Sequence, residues 1–435
     1  MNTSRRDFLR MAAAAGVLSQ VDPFTSRLVA ATPGMEMQPW QTTRPALVVI
    51  FLRGAADALN MIVPHGDPNY EANRPTLAMA LADGLLPLDK TFGLHPAMSA
   101  LKPMWEAGTF APIVCAGSPH RTRSHFDAQD WMEFAAPGDR TMREGWLNRY
   151  LEVTKPKEED ASEFRALGMQ ELLPRSLRGA FPVLAVPTSL GRRKTDRTLD
   201  RFEKFYGDGT DMMEGGSRMS GQREEDPAGV VASGRITIDT LRRFTEIIKA
   251  GEKKKSKGGT QTVSGSSYPT SKFGTRMKQI ALVLRADEGM EVAGIDYGGW
   301  DDHTREGSIE GRMADRMKDL SQTLAAFCQD LGPQLATTNI LVMTEFGRTV
   351  RENGNNGTDH GHGGNMFLLG GGVQGGKVHG DWRGLGADAL YQGRDLAVTT
   401  DFRDVFHTVL ANTFAFEAPK QFFPGHEPRL IKSLY

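Results

Sequence analysis

The sequence predicts an α/β protein: a three-layer α/β/α sandwich around a mostly parallel central sheet. Three observations carry that prediction. Short apolar, β-branched runs alternate with segments of helical rhythm from one end of the chain to the other. Some of these runs are apolar at nearly every position, as strands covered on both faces are. Carboxylates and histidines collect just past the ends of the runs, where open α/β sheets gather their ligands. At 435 residues the chain is long for one ordinary core. A formal charge of −1 and a hydrophobic content of 39% exclude a disordered chain and argue against a nucleic-acid binder, which carries a basic excess. No apolar stretch reaches the roughly 18 residues of a membrane span.

The N-terminus reads as an address. Ser4-Arg5-Arg6-Asp7-Phe8-Leu9-Arg10 has the twin-arginine form, an Ala-rich run follows from Met11 to Leu18, and Val29-Ala30-Ala31 offers a small-residue cleavage site. Residues 1–31 are therefore expected to be a signal peptide. The twin-arginine translocation machinery would be its partner, the periplasm or cell exterior the destination, and 44–435 a single domain. Export to an oxidising compartment permits disulfides, yet Cys115 and Cys328 are the two cysteines of the chain. Both lie in apolar surroundings, which favours two buried thiols over a bridge.

Ala46 to Leu52 is a near-continuous apolar run and predicts a central strand. It runs into Arg53-Gly54-Ala55-Ala56-Asp57, where Asp57 suits either the cap of the next segment or a metal carboxylate. Met98, Leu101, Met104 and Trp105 share one face of a helix expected from Leu94 to Gly108. Phe110 to Ala116 is the second strand. Its polar loop, Gly117 to Asp127, carries His120, Arg121, Arg123, Ser124 and His125, and a helix starts near Ser124. Ser124 fits a plain cap, or a cap that doubles as nucleophile beside free backbone N–H groups. From about 155 to 275 charge runs and Gly/Ser-rich stretches predict a loop-rich insertion, with helices at Gly234–Lys249 and Met277–Leu284.

The remaining elements frame the chemistry. Val292 to Asp296 is a strand whose loop holds Trp300-Asp301-Asp302-His303, and Glu310 to Leu331 is a long amphipathic helix. Asn339 to Thr344 is a strand ending in Glu345-Phe346-Gly347-Arg348, and Asp359-His360-Gly361-His362 follows ten residues beyond Thr349. A late strand, Met366 to Leu369, and a final helix from Asp401 close the chain. Asp57, Asp301, His303, Glu345, Asp359 and His360 are thus the candidate ligands for one or two divalent ions. Zinc suits this mixed carboxylate–imidazole set first, with manganese, magnesium and calcium as alternatives. Such an ion polarises a phosphoryl or similar oxygen. Ser124 is the candidate nucleophile. Arg53, Arg121, His125 and Arg348 are the candidate holders of an anionic ester, arginine because its planar fork matches tetrahedral oxyanions. The chain has no His-Glu-x-x-His, no Walker-type loop and no Gly-x-Ser-x-Gly elbow.

Five blocks carry a resemblance: Phe51 to Leu59, Arg123 to Asp127, Gly298 to His303, Thr344 to Thr349 and Gly357 to Gly361. In this order, behind a twin-arginine signal, they resemble a bacterial exported family labelled only as a domain of unknown function, itself similar to the alkaline phosphatase and sulfatase superfamily. The resemblance implies that superfamily's sandwich and a di-metal site. It implies Asp57 as first-strand carboxylate, Ser124 as nucleophile, Asp301 and His303 as one metal's pair and His360 as a late ligand of the other. Glu345 stands where the superfamily has the aspartate of an Asp-His pair. Two departures accompany it. Phe346 occupies the place of that pair's histidine, and the sulfatase signature, Cys or Ser then x-Pro-x-Arg, is absent. Two functions follow as expectations. One is an exported metal-dependent hydrolase of a phosphate or sulfate ester. The other is a catalytically silent relative that serves as a binding or assembly component of the cell envelope.

Overall fold

A computed structural model describes residues 44–157, 162–187, 190, 200, 227–256 and 267–435. The expected signal at 1–31 lies outside the described residues, as does most of the Gly/Ser-rich sequence within the expected insertion.

Ala46–Arg53 (β1) is the centre of an eight-stranded sheet. The other strands among the described residues are Ile62–Val63 (β2), Leu86–Pro87 (β3), Gly93–Leu94 (β4), Phe110–Gly117 (β5), Ala166–Gly168 (β6), Leu184–Ala185 (β7), Val292–Gly298 (β8), Thr338–Thr344 (β9), Gly364–Gly370 (β10) and Thr400–Asp401 (β11). The main sheet runs β11-β5-β10-β9-β1-β8-β6-β7, while β2, β4 and β3 form a small antiparallel sheet apart. β1 pairs in parallel with β8 and β9, Ile50 lying opposite Ile295 on one side and Val342 on the other. Among the described strands of the main sheet, β10 alone is antiparallel to its neighbours. The apolar runs predicted four of the parallel strands, including the one at the centre.

Strand period sorts the core into two layers. Val48, Ile50 and Leu52 point to one face and join Ile340, Val342 and Ile295 in a cluster with the helices Lys272–Ala286 and Arg312–Leu331. Leu47, Val49 and Phe51 point to the other and join Leu341 and Met343 against the helices His125–Phe134, Trp146–Val153 and Phe402–Phe414. Helices on both faces of a buried sheet give the three-layer sandwich that the sequence predicts.

Three details depart from the expected elements. The helix expected over 94–108 is a 3-10 segment, Pro96–Leu101, followed by a short α-helix, Lys102–Glu106; Pro103 lacks the backbone donor that a continuous α-helix would need there, whereas Pro96 sits in the first turn, where none is needed. The region read as an insertion contributes β6 and β7 to the main sheet, strands of three and two residues that are too short to show a period. Its helix is also longer than expected, running Pro227–Ser256. Cys115 and Cys328 are both free and buried. Among the described residues no helix is long and apolar enough to cross a membrane.

Candidate metal centre

The loops past the carboxyl ends of β5, β8 and β9 meet over the sheet. His125 opens the helix after β5, Asp301 and His303 follow β8, Glu345 directly follows β9, and His360 sits in the long loop that leads to β10. Backbone contact holds these loops together, and glycine makes it possible. At Gly54, with φ at +117°, an added Cβ would lie 2.6 Å from the Asp301 nitrogen. At Gly347 it would lie 1.7 Å from the Gly363 carbonyl oxygen. A side chain at either position would push the ligand loops apart.

Three imidazoles turn the same ring atom inward. His360 Nε2 is 2.9 Å from His125 Nε2 and 2.9 Å from His303 Nε2. Asp301 Oδ1 lies 2.9 Å from His303 Nε2, 3.2 Å from His360 Nε2 and 3.5 Å from His125 Nε2. His125, Asp301 and His360 form a group able to hold one ion, and His303 flanks the Asp301 and His360 atoms. The opposite nitrogen of each ring faces an acceptor. His125 Nδ1 is 2.7 Å from Glu345 Oε1, His303 Nδ1 is 3.1 Å from Asp359 Oδ1, and His360 Nδ1 is 2.8 Å from the Arg123 carbonyl oxygen. Each neutral ring therefore places its proton on Nδ1 and presents a bare lone pair at Nε2. Lone pairs and a carboxylate oxygen at such separations repel unless a proton or a cation lies among them. This donor set fits a divalent ion, and zinc takes such imidazole and carboxylate ligands.

The surroundings are built to keep this arrangement. Glu345 is wholly buried and accepts from the Gly54 N–H at 2.9 Å, from Gln129 Nε2 at 2.9 Å and from Thr344 Oγ1 at 2.9 Å. Burial pushes its carboxyl up, but the hydrogen bonds from His125 and Gln129 outweigh that and hold it below the usual range. The His125 ring is raised, first by its hydrogen bond to Glu345. His360 is lowered, first by burial. Arg348 donates to Asp301 Oδ1 at 2.8 Å, and Asn353 Nδ2 donates to Asp359 Oδ1 at 3.1 Å.

The residues singled out from sequence thus fall into distinct places. Asp301, His303 and His360 converge. Glu345 and Asp359, expected as ligands, face the outer nitrogens of His125 and His303. His125, expected to hold substrate, is instead in the convergent group. A signal for it existed: a histidine at the first turn of a helix after a buried strand, in one of five blocks carrying the resemblance. Asp57 lies apart, capping Ala58–Met61 through the Leu59 N–H at 3.2 Å and pairing with buried Arg74. Ser124 caps the His125–Phe134 helix with its backbone, its hydroxyl making no capping bond. Arg53 donates to Glu133 at 2.8 Å and Asp296 at 2.9 Å, so both ends of its fork are engaged. Arg348 has no exposed side-chain surface, and Arg121 is exposed. Phe346 stacks on His125 with ring centroids 5.0 Å apart and packs with Ala55 and Ala128. That apolar patch supplies no donor for a second ion. His362 is buried against Tyr391, and burial pushes it down to about 4.

A family profile described as "Protein of unknown function (DUF1501)" matches residues 44–421, and the chain belongs to that family. No curated protein matches the chain. Among solved structures it is similar to the PsFucS1 sulfatase from Pseudoalteromonas sp., at 11% identity over 91% of this chain and 72% of that one, with a TM-score of 0.37. It is also similar to a phosphonate monoester hydrolase from Silicibacter pomeroyi, at 12% identity over 89% and 76%, TM-score 0.33. A third is the zinc-bound periplasmic domain of EptC from Escherichia coli, at 10% identity over 75% and 73%, TM-score 0.29. The superpositions are loose, and the chemistry of the site rests on its own atoms.

Proposed function

We propose that this member of the DUF1501 family is an exported, metal-dependent hydrolase of a phosphate or sulfate ester, with one divalent ion held by His125, Asp301, His360 and His303. One observation carries the reading: three Nε2 atoms and a carboxylate oxygen converge while every outer nitrogen is occupied. When bound, the ion would supply Lewis acidity toward an ester oxygen. The chain supplies the rest. Glu345, Asp359 and the Arg123 carbonyl fix the ring tautomers. Ser124, with its hydroxyl free of capping, stands at the positive end of a helix, where an attacking oxygen is favoured. Twin-arginine export would deliver the protein folded, with its ion already loaded.

The Phe346, Ala55 and Ala128 patch favours the second reading, a catalytically silent relative that serves as a binding or assembly component of the cell envelope. Elemental analysis of mature protein beside a His360→Ala variant, with a screen of aryl phosphates and aryl sulfates, separates the two. About one equivalent of metal, lost in the variant together with ester cleavage, supports the enzyme. Metal without turnover on either ester class supports the silent relative. Fresh protein that holds no metal and takes up none on titration sinks the hydrolase reading and leaves the envelope component.

A further inference from the structure

Arg53, Arg121, Arg123, Arg348 and Arg394 lie in or beside the site loops, and they are not equivalent. Arg53 is spent on Glu133 and Asp296, and Arg348 is buried on Asp301. Arg123 places Nε at 3.0 Å and Nη2 at 2.5 Å from Asp395 Oδ2, and Nη2 also reaches Gln392. Arg121 is exposed, and its charge is felt at His120. Arg394 differs from all four. Its Nη2 donates to the His360 carbonyl oxygen at 3.0 Å, which ties it to the loop bearing a ligand ring. Its Nη1 lies 3.5 Å from the same Asp395 oxygen that Arg123 already occupies, and 43% of its side chain remains exposed.

We propose that Arg394 binds the non-reacting oxygens of a tetrahedral ester anion at the three-histidine site. This rests on the reading of that site as a metal-dependent ester hydrolase. Two guanidinium groups share the one buried carboxylate of Asp395, which leaves an excess positive charge beside His360. Asp359 also lies within the field of Arg394, but its Oδ1 is committed to His303 and Asn353. The fork of Arg394 thus keeps donors for an incoming anion and is anchored before that anion arrives. Of the other arginines, Arg53 turns both ends of its fork to carboxylates, Arg123 turns Nε and Nη2 to Asp395 and Gln392, and Arg348, whose Nε and Nη1 have no partner, has no exposed side-chain surface to meet an anion from solvent. The ligand class is accordingly an anionic monoester, of phosphate or sulfate, rather than a neutral carboxylic ester, which offers a guanidinium no charge.

The test uses zinc-loaded full-length mature protein with Arg394→Ala and Arg394→Lys. Inorganic phosphate and sulfate are titrated by calorimetry, with metal content and secondary structure measured on the same samples. Arg394→Ala is expected to keep its zinc and fold while anion affinity falls on the order of 10- to 100-fold, the worth of a lost charge-assisted hydrogen bond. Arg394→Lys should recover part of the loss, because it restores the charge without the fork. Unchanged anion affinity in Arg394→Ala, with zinc bound in both proteins, overturns the role of Arg394 and leaves the metal site standing. A wild type that binds zinc but neither anion overturns this proposal together with the ester-hydrolase reading.

Discussion

An imidazole offers one lone pair, and a hydrogen bond at its other nitrogen decides which atom carries it. At this site the decision is made three times: by two carboxylates, Glu345 and Asp359, and by the Arg123 carbonyl. Glu345 bears most on the outcome, because it also receives the Gly54 and Gln129 donors and so registers the β1 loop against the His125 helix. Replacing Glu345 with Gln should leave the fold intact and lower metal affinity by about 10- to 100-fold, read by competition with a chromophoric chelator. Equal affinity in the two proteins would mean that the tautomer of His125 is set elsewhere. From sequence these residues were legible as a set but not by role. Glu345 and His125 sit 220 positions apart, and only the fold shows that one orients the other.

The loops that carry the ligands are held by an element-scale device beneath them. Arg74, wholly buried, pairs with Asp57 and donates to the carbonyl oxygens of Val350 at 2.9 Å and Thr349 at 2.9 Å. Glu306 joins the cluster, accepting from Asn60 at 3.2 Å and Thr358 at 2.8 Å. Two carboxylates against one guanidinium cannot both ionise cheaply in a dry interior. Burial first, then the charge of Asp57, pushes Glu306 well above the usual carboxylate range. The sign follows from proton binding. The folded chain holds the Glu306 proton to higher pH than the unfolded chain does, so this contribution is fully present below about pH 4.5. It declines as pH rises toward the raised folded value. Glu306→Gln removes that titration. Its denaturation midpoint should therefore gain on wild type between acid and neutral pH, a trend that urea melts at several pH values would detect. Parallel pH profiles would show that Glu306 is ionised in the fold. Asp57 was readable as a cap or a ligand. Its capture by Arg74, 17 residues on, follows from the path of the chain between β1 and β3 and has no local signature.

At the scale of the whole molecule, the site joins loops from three parallel strands, so an ion there would cross-link segments more than 200 residues apart. Binding to the folded state alone stabilises by about 2.7 kcal/mol at a free ion concentration 100 times Kd. Zinc should accordingly raise the melting temperature, chelation should lower it, and His303→Ala should blunt the difference, all by differential scanning calorimetry. A melting curve indifferent to zinc and chelator would argue that the convergent nitrogens hold no ion. The sequence by itself determined the layered architecture, because buried parallel strands must be apolar throughout and their flanking helices must carry one apolar stripe. It also determined where along the chain the site residues cluster, because strand ends are where such sheets expose chemistry. Tertiary structure alone decided what each residue faces: His125 inward, Glu345 and Asp359 behind the rings, Asp57 on Arg74, Arg53 on two carboxylates. Those assignments are distances between distant segments, and a distance across the fold is fixed by packing and register, which leave no mark on the local pattern of residues.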